Sequence, residues 1–207
     1  MSDADWYEGL RQVPGVAYQG HPDIDRRKLP QHNAKPQVET FDIDGEKHTS
    51  VMWRTRDGYS SQSPAAAWSS IDDPQVAEPE DVIRSMYEAL ELPGTVSDYH
   101  FKLLNACGAL WSRRKRRPEF LPELEKILLL DISLVGLHGD SLMFEQDGGP
   151  VMPGVPAFDQ LISLYEGDGF IHEALAIAKL ATAAGQGSSD EERLAERLVE
   201  LEAEDNA

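Results

Sequence analysis

Residues 157–181, AFDQLISLYEGDGFIHEALAIAKLA, limit the possible folds more than any other stretch. Phe158, Leu161, Ile162 and Tyr165 recur at helical spacing before Gly167 and Gly169. Ile171, Ala174, Leu175, Ala178 and Ala181 do so after them. That pattern predicts two short helices joined by a tight glycine turn. Alanines at 174, 178 and 181 form a small-residue stripe that lets a neighbouring helix approach closely. The pair therefore needs helices before and after it to stack on its two faces.

The chain supplies them. Val82, Ile83, Met86, Tyr87 and Leu90 make an apolar stripe from about Pro79 that ends at Pro93-Gly94. The next helix begins at Ser97-Asp98, both suitable caps, and carries Leu103, Leu104, Cys107, Leu110 and Trp111. It ends in the cations Arg113–Arg117, which complement the helix dipole. A third helix, from Pro122 to Val135, is apolar nearly all round and should be the most buried. Residues 136–156 are a Gly/Pro-rich insert, with a small hairpin expected about Asp147-Gly148-Gly149. Ser189 and Glu192 form a capping-box pattern opening a last helix with Leu194, Leu198 and Leu201. Its other faces are acidic, which suits an outer capping helix.

Residues 1–78 read differently, as an extended, proline-rich arm. Trp6, Tyr7, Leu10 and Val13 predict a short helix stopped by Pro14-Gly15, and residues 18–37 an extended segment. Between about 38 and 55, Phe41 and Ile43 alternate with polar residues, as do Val51 and Trp53, which predicts a β-hairpin. A two-residue Asp44-Gly45 turn would split these four between opposite faces. A five-residue loop, 44–48, would put all four on one face, and burial favours that register. Residues 57–80 read as a connector. The expected class is mainly α: a stack of helical hairpins over 79–207, with an N-terminal arm carrying one small β-hairpin.

The hairpin at 157–184 resembles a tetratricopeptide repeat. Phe158 opens its first helix, Leu161 takes the next core position and Tyr165 the closing aromatic. Gly169 matches the turn glycine, Ile171 the large residue after it, Glu173-Ala174 the acidic-alanine pair and Ala181 a later small residue. Ile162 stands where that family has a small residue, and Gln186 where a proline closes the repeat. The resemblance implies an irregular tetratricopeptide-like stack that binds peptides on the face of the first helix. The corresponding residues are Asp159, Gln160, Ser163 and Glu166, whose two carboxylates suit a basic peptide.

Charge points the same way. The net charge is −18, and residues 151–207 hold 12 acids against 3 bases. Such a field opposes phosphate backbones and anionic lipid, so direct nucleic-acid or membrane binding is not expected. The opening Ser2-Asp3-Ala4-Asp5 shows no leader pattern, and Cys107 is the only cysteine. The expectation is a soluble, cytoplasmic protein.

Signals for chemistry are thin. No Walker loop, GxGxxG, GxSxG or HExxH is present. His21-Pro22-Asp23 and His138-Gly139-Asp140 fall in predicted loops and, with His32, are weak metal candidates. Asp42-x-Asp44-Gly45 lacks calcium-loop spacing and reads as turn chemistry. Cys107 reads as core, and Asp131 as a partly buried carboxylate on the apolar third helix. The expected function is a non-enzymatic interaction module, adaptor or chaperone-like, for a basic peptide or protein, without a cofactor. The alternatives are an acidic mimic or inhibitor of a basic nucleic-acid-binding protein, and a metal-dependent enzyme using His21, Asp23, His138 and Asp140.

Overall fold

The computed structural model describes residues 8–29, 34–55, 58–146, 149–187 and 189–205. The chain is mainly helical, with a small antiparallel sheet near its N-terminus. It divides into two compact units, 1–109 and 110–207.

In the first unit the arm is docked. A single 3-10 turn, Gly9–Gln12, replaces the expected short helix, of which Trp6 and Tyr7 lie outside the described residues. Gly9 has φ of 56°, and a Cβ there would stand 2.1 Å from the Leu90 carbonyl oxygen. Only glycine lets the arm lie that close. Leu10, Val13, Val16, Tyr18 and Leu29 are buried. One carboxylate anchors the segment. Glu91, 2% exposed, accepts hydrogen bonds from the Tyr18 hydroxyl (3.0 Å) and from Arg26 Nε (2.5 Å).

The sheet has strands β1 (Pro36–Ile43), β2 (Glu46–Thr55) and β3 (Gly58–Ser60), in that spatial order and antiparallel throughout. Its register is not the one that burial favours. Ile43 pairs with Glu46, so the loop is the two-residue Asp44-Gly45 turn and not a five-residue one. Both turn residues have positive φ, 55° and 87°, the type I′ geometry whose twist matches the strands it joins. The Asp42 Oδ1 accepts the Gly45 N–H at 2.8 Å and fixes the turn. Phe41 therefore faces His48, and Val51 faces Val38. The physical reason is that burial acts only at the far end of the hairpin. Trp53 is 2% exposed, while Phe41 and Ile43 near the turn are 45% and 50% exposed. Where neither face is covered, turn chemistry decides.

The stretch expected as a connector carries β3 and one helical turn, α1 (Pro64–Ala67), which Ser63 caps and Pro64 opens. It is pinned to α2 (Pro79–Leu90) by two hydrogen bonds: Trp68 Nε1 to Glu88 and the Ser70 N–H to Ser85 Oγ. Helix α3 (Val96–Arg113) opens on a reciprocal capping box between Thr95 and Asp98. Cys107 is buried on it.

In the second unit α4 (Leu121–His138) is the apolar helix, running three residues past its expected end at Val135. Leu124, Ile127, Leu128, Leu134 and Val135 are buried, and so is Asp131, completely. A two-stranded hairpin, β4 (Phe144–Gln146) and β5 (Gly149–Val151), occupies the insert. Then come α5 (Pro156–Gly167), α6 (Ile171–Ala183) and α7 (Asp190–Asp205). Successive helices pack: α4 on α5, α5 on α6, α6 on α7. Phe158, Leu161, Ala174, Ala178, Ala181 and Leu194 are all buried. Each buried Leu or Phe contributes about 1.5–3 kcal/mol.

Both helices of the α5–α6 pair end in a Schellman motif. Phe170 N–H reaches the Tyr165 carbonyl and Gly169 N–H that of Glu166. Gln186 N–H reaches the Ala181 carbonyl and Gly185 N–H that of Thr182. Gly169 and Gly185 supply the left-handed residue, with φ of 85° and 70°. Gln186 also accepts the Val155 N–H through Oε1 at 3.0 Å, which ties the end of α6 to the start of α5.

Candidate functional site

Helix periodicity sets Asp159, Ser163 and Glu166 at i, i+4 and i+7 along α5, with Gln160 one position round. Asp159 and Ser163 are exposed. Gln160 is half-buried and turns its Oε1 inward, with no hydrogen-bond partner among the described residues. Glu166 is engaged from within. Arg193 of α7 grips both its oxygens, Nη1 at 2.6 Å and Nη2 at 2.9 Å, and Arg197 Nη1 adds a third bond at 2.8 Å. The Arg193 hydrogen bond is the main cause that holds the Glu166 carboxyl below the ordinary glutamate range. Arg193 also bonds Asp190 Oδ1 at 2.7 Å. Of the two carboxylates expected to meet a partner, one is thus occupied by α7.

This has a consequence for α7. Arg193 and Arg197 are the only bases on that helix, and both turn to Glu166. Glu192, Glu196, Glu200 and Glu204 are exposed and recur every fourth residue. Successive members rise ~6 Å along the axis. They form a ridge of carboxylates on the outer side of the stack. The four-residue spacing is legible in the sequence; the removal of the two arginines by Glu166 is not.

Next to Glu166, Tyr165 donates its hydroxyl to Glu125 Oε1 on α4 at 2.7 Å. Burial, with that hydrogen bond second, pushes its pKa up to about 12. Adjacent side chains on α5 thus bind helices on either side of it.

The histidine triplets lie in different units. His21 Nδ1 accepts the Asp23 N–H at 3.3 Å, and its ring packs 4.8 Å from the Tyr87 ring. His138 is the last residue of α4, and Asp140 sits in the 3-10 turn after it. His32 lies outside the described residues. Among the described residues no three His, Cys, Asp or Glu side chains gather within reach of one metal ion.

The basic run at the end of α3 is partly folded onto its own aromatics. Arg114 stacks over Trp111 at 3.8 Å and donates to its carbonyl, while Arg117 lies over Phe120 and bonds Glu119. Lys115 and Arg116 remain exposed.

One feature has no signal in the sequence. A cleft of about 60 Å³ in the first unit is lined by Trp68, Ile71, Met86, Lys102 and Asn105, among others. Lys102 donates to the Trp68 carbonyl at 2.7 Å. Burial lowers its pKa, and Asp98 opposes that shift. Ligand pockets run to ~300–1,000 Å³, so this cleft falls well short of that size.

No family model, curated protein or solved structure matches this chain. Among the described residues no helix is long and apolar enough to cross a membrane.

Proposed function

We propose that this chain is a non-enzymatic protein–protein interaction module, adaptor or chaperone-like, whose partner is a basic peptide or protein. The observation that carries the reading is the α7 ridge. Its four carboxylates are exposed, and the helix's own arginines are spent on Glu166. Asp159 and Ser163 extend the polar surface of the same stack onto α5. A one-signed surface of this kind steers a basic partner and sets its orientation. A cytoplasmic setting goes with this reading, since the lone Cys107 has no second cysteine to pair with.

The test is a pull-down with the full chain at low and high salt, beside the variant Glu192→Gln/Glu196→Gln/Glu200→Gln. The expected result is a basic protein retained at low salt, released at high salt and lost with the variant. Recovery of no basic partner at either salt sinks the reading. The even, one-sided spacing of the ridge also favours a second reading, an acidic mimic that covers a nucleic-acid-binding surface. In that case the captured protein binds DNA or RNA, and added nucleic acid displaces the chain.

A further inference from the structure

We propose that the free edge of β1 is a second docking site, which takes an extended partner segment of alternating basic and apolar residues as a fourth strand. It lies in the first unit and does not depend on the α7 ridge.

The edge is open. β1 is the outer strand of the order β1-β2-β3, and all eight of its residues are exposed. Proteins usually blunt such an edge with charged side chains, an internal proline, a bulge or a very short strand. Of these β1 has only charges, Glu39 and Asp42, which repel a strand of like charge and leave the edge open to a basic one. Its proline is the first residue, it contains no lysine, and it pairs residue for residue from Pro36–Trp53 to Ile43–Glu46 without a bulge. The two-residue turn also fixes which main-chain groups are free. The pair flanking such a turn exchanges both hydrogen bonds, so Ile43, Phe41 and Glu39 point their N–H and C=O groups at β2. Val38, Thr40 and Asp42 point theirs outward.

Side chains select the occupant. Val38 (61% exposed) and Asp42 lie on one face of the sheet, and Glu39, Phe41 and Ile43 on the other, so whichever face the apolar side of an alternating strand takes, it meets an exposed apolar residue while its basic side meets a carboxylate. Between Pro36 and Gly45 the chain has three carboxylates, Glu39, Asp42 and Asp44, and no base. A second copy of β1 would bring the same carboxylates alongside and is repelled. A strand with lysine or arginine at alternate positions is attracted, and the charge of −18 on the whole chain speeds its approach.

The probe is a short synthetic peptide alternating Lys and Val, titrated into the isotope-labelled full chain and read by NMR. The amides of Val38, Thr40 and Asp42 are expected to shift and to exchange more slowly, with those of α7 unmoved. Thr40→Pro removes an outward N–H that β2 does not use, so the hairpin survives and affinity falls about tenfold or more. Retention of the Phe41–His48 ring contact, 5.9 Å between centroids, shows that the hairpin is intact. If that contact is lost, Glu39→Lys/Asp42→Lys serves instead and is expected to weaken binding by about tenfold. Equal affinity for an alternating Glu-Val peptide, undiminished binding to the intact variants, or shifts confined to α7 each overturn the proposal. The last outcome leaves the α7 reading standing. Loss of binding to the α7 Gln variant, with Thr40→Pro unaffected, has the same meaning.

Discussion

The β1–β2 and α5–α6 hairpins are built alike, and yet they invert each other. Each joins two elements through a glycine with positive φ, Gly45 in one and Gly169 in the other. The helical pair turns its apolar residues inward, so that Phe158, Leu161 and Ile171 are buried. The strand pair leaves Val38, Phe41 and Ile43 in solvent. Burial therefore sets the geometry of the first, and local turn chemistry that of the second. The largest test of this contrast compares one phenylalanine from each. Phe158→Ala empties a closed site and is expected to cost about 3–5 kcal/mol. Phe41→Ala should cost under about 1 kcal/mol, the scale of one cross-strand contact. Urea unfolding of both variants measures the difference. Equal losses would mean that Phe41 is covered, and the contrast would fail.

The turn glycines come next. An added Cβ meets nothing at either Gly45 or Gly169, so substitution acts through φ alone. Gly45→Ala and Gly169→Ala should each cost about 1–2 kcal/mol. Their structural outcomes should differ. The strand hairpin has a second register open to it, with Phe41 opposite Val51, because β1 buries no side chain that would forbid its slip along β2. The helical hairpin has none. A nuclear Overhauser contact that moves from Phe41–His48 to Phe41–Val51 in Gly45→Ala would confirm that the turn holds the register. An unchanged contact would show that something beyond the turn does.

The same division explains what the sequence makes legible. The α5–α6 pair is readable because its apolar positions follow the helical period and its glycines fall where Schellman ends need them. The all-round apolar pattern of α4 places Leu124, Leu128 and Val135 in the core, and Asp131 beside them on the buried side. The β register is misread because the period-2 pattern carries no information on which face is covered. Two charge clusters are invisible for another reason. Glu91 meets Tyr18 and Arg26 across 73 and 65 residues, and Glu166 meets Arg193 across 27. Such pairs depend on how elements dock, which no local spacing encodes. The candidate site is legible in the same measure. Asp159, Ser163 and the acidity of α7 can be read along one helix each, whereas the engagement of Glu166 cannot.

The smallest expected effect is the acid limb in the pH response of the helical stack, where Tyr165 and Glu166 are neighbours on α5 with opposite shifts. Glu166 is held below its ordinary pKa by Arg193, so its ionised form is favoured in the folded state. Its contribution is complete above the unfolded glutamate value and is lost as pH falls through the lowered one. Tyr165 is raised to about 12, so its protonated form is favoured. Its contribution is complete below the unfolded value of 10.0 and is lost as pH rises from there toward 12. The stack should therefore be evenly stable from about pH 5 to pH 10 and weaken on both sides. Arg193 and Arg197 are each nearly half exposed, which limits the acid limb to less than about 1 kcal/mol. Thermal unfolding followed by helix circular dichroism across this range measures both limbs. Glu166→Gln should reduce the acid limb alone, and Tyr165→Phe the alkaline limb alone. If Tyr165→Phe keeps the full alkaline fall, that fall arises at another group, such as the buried Tyr18, whose pKa burial also raises.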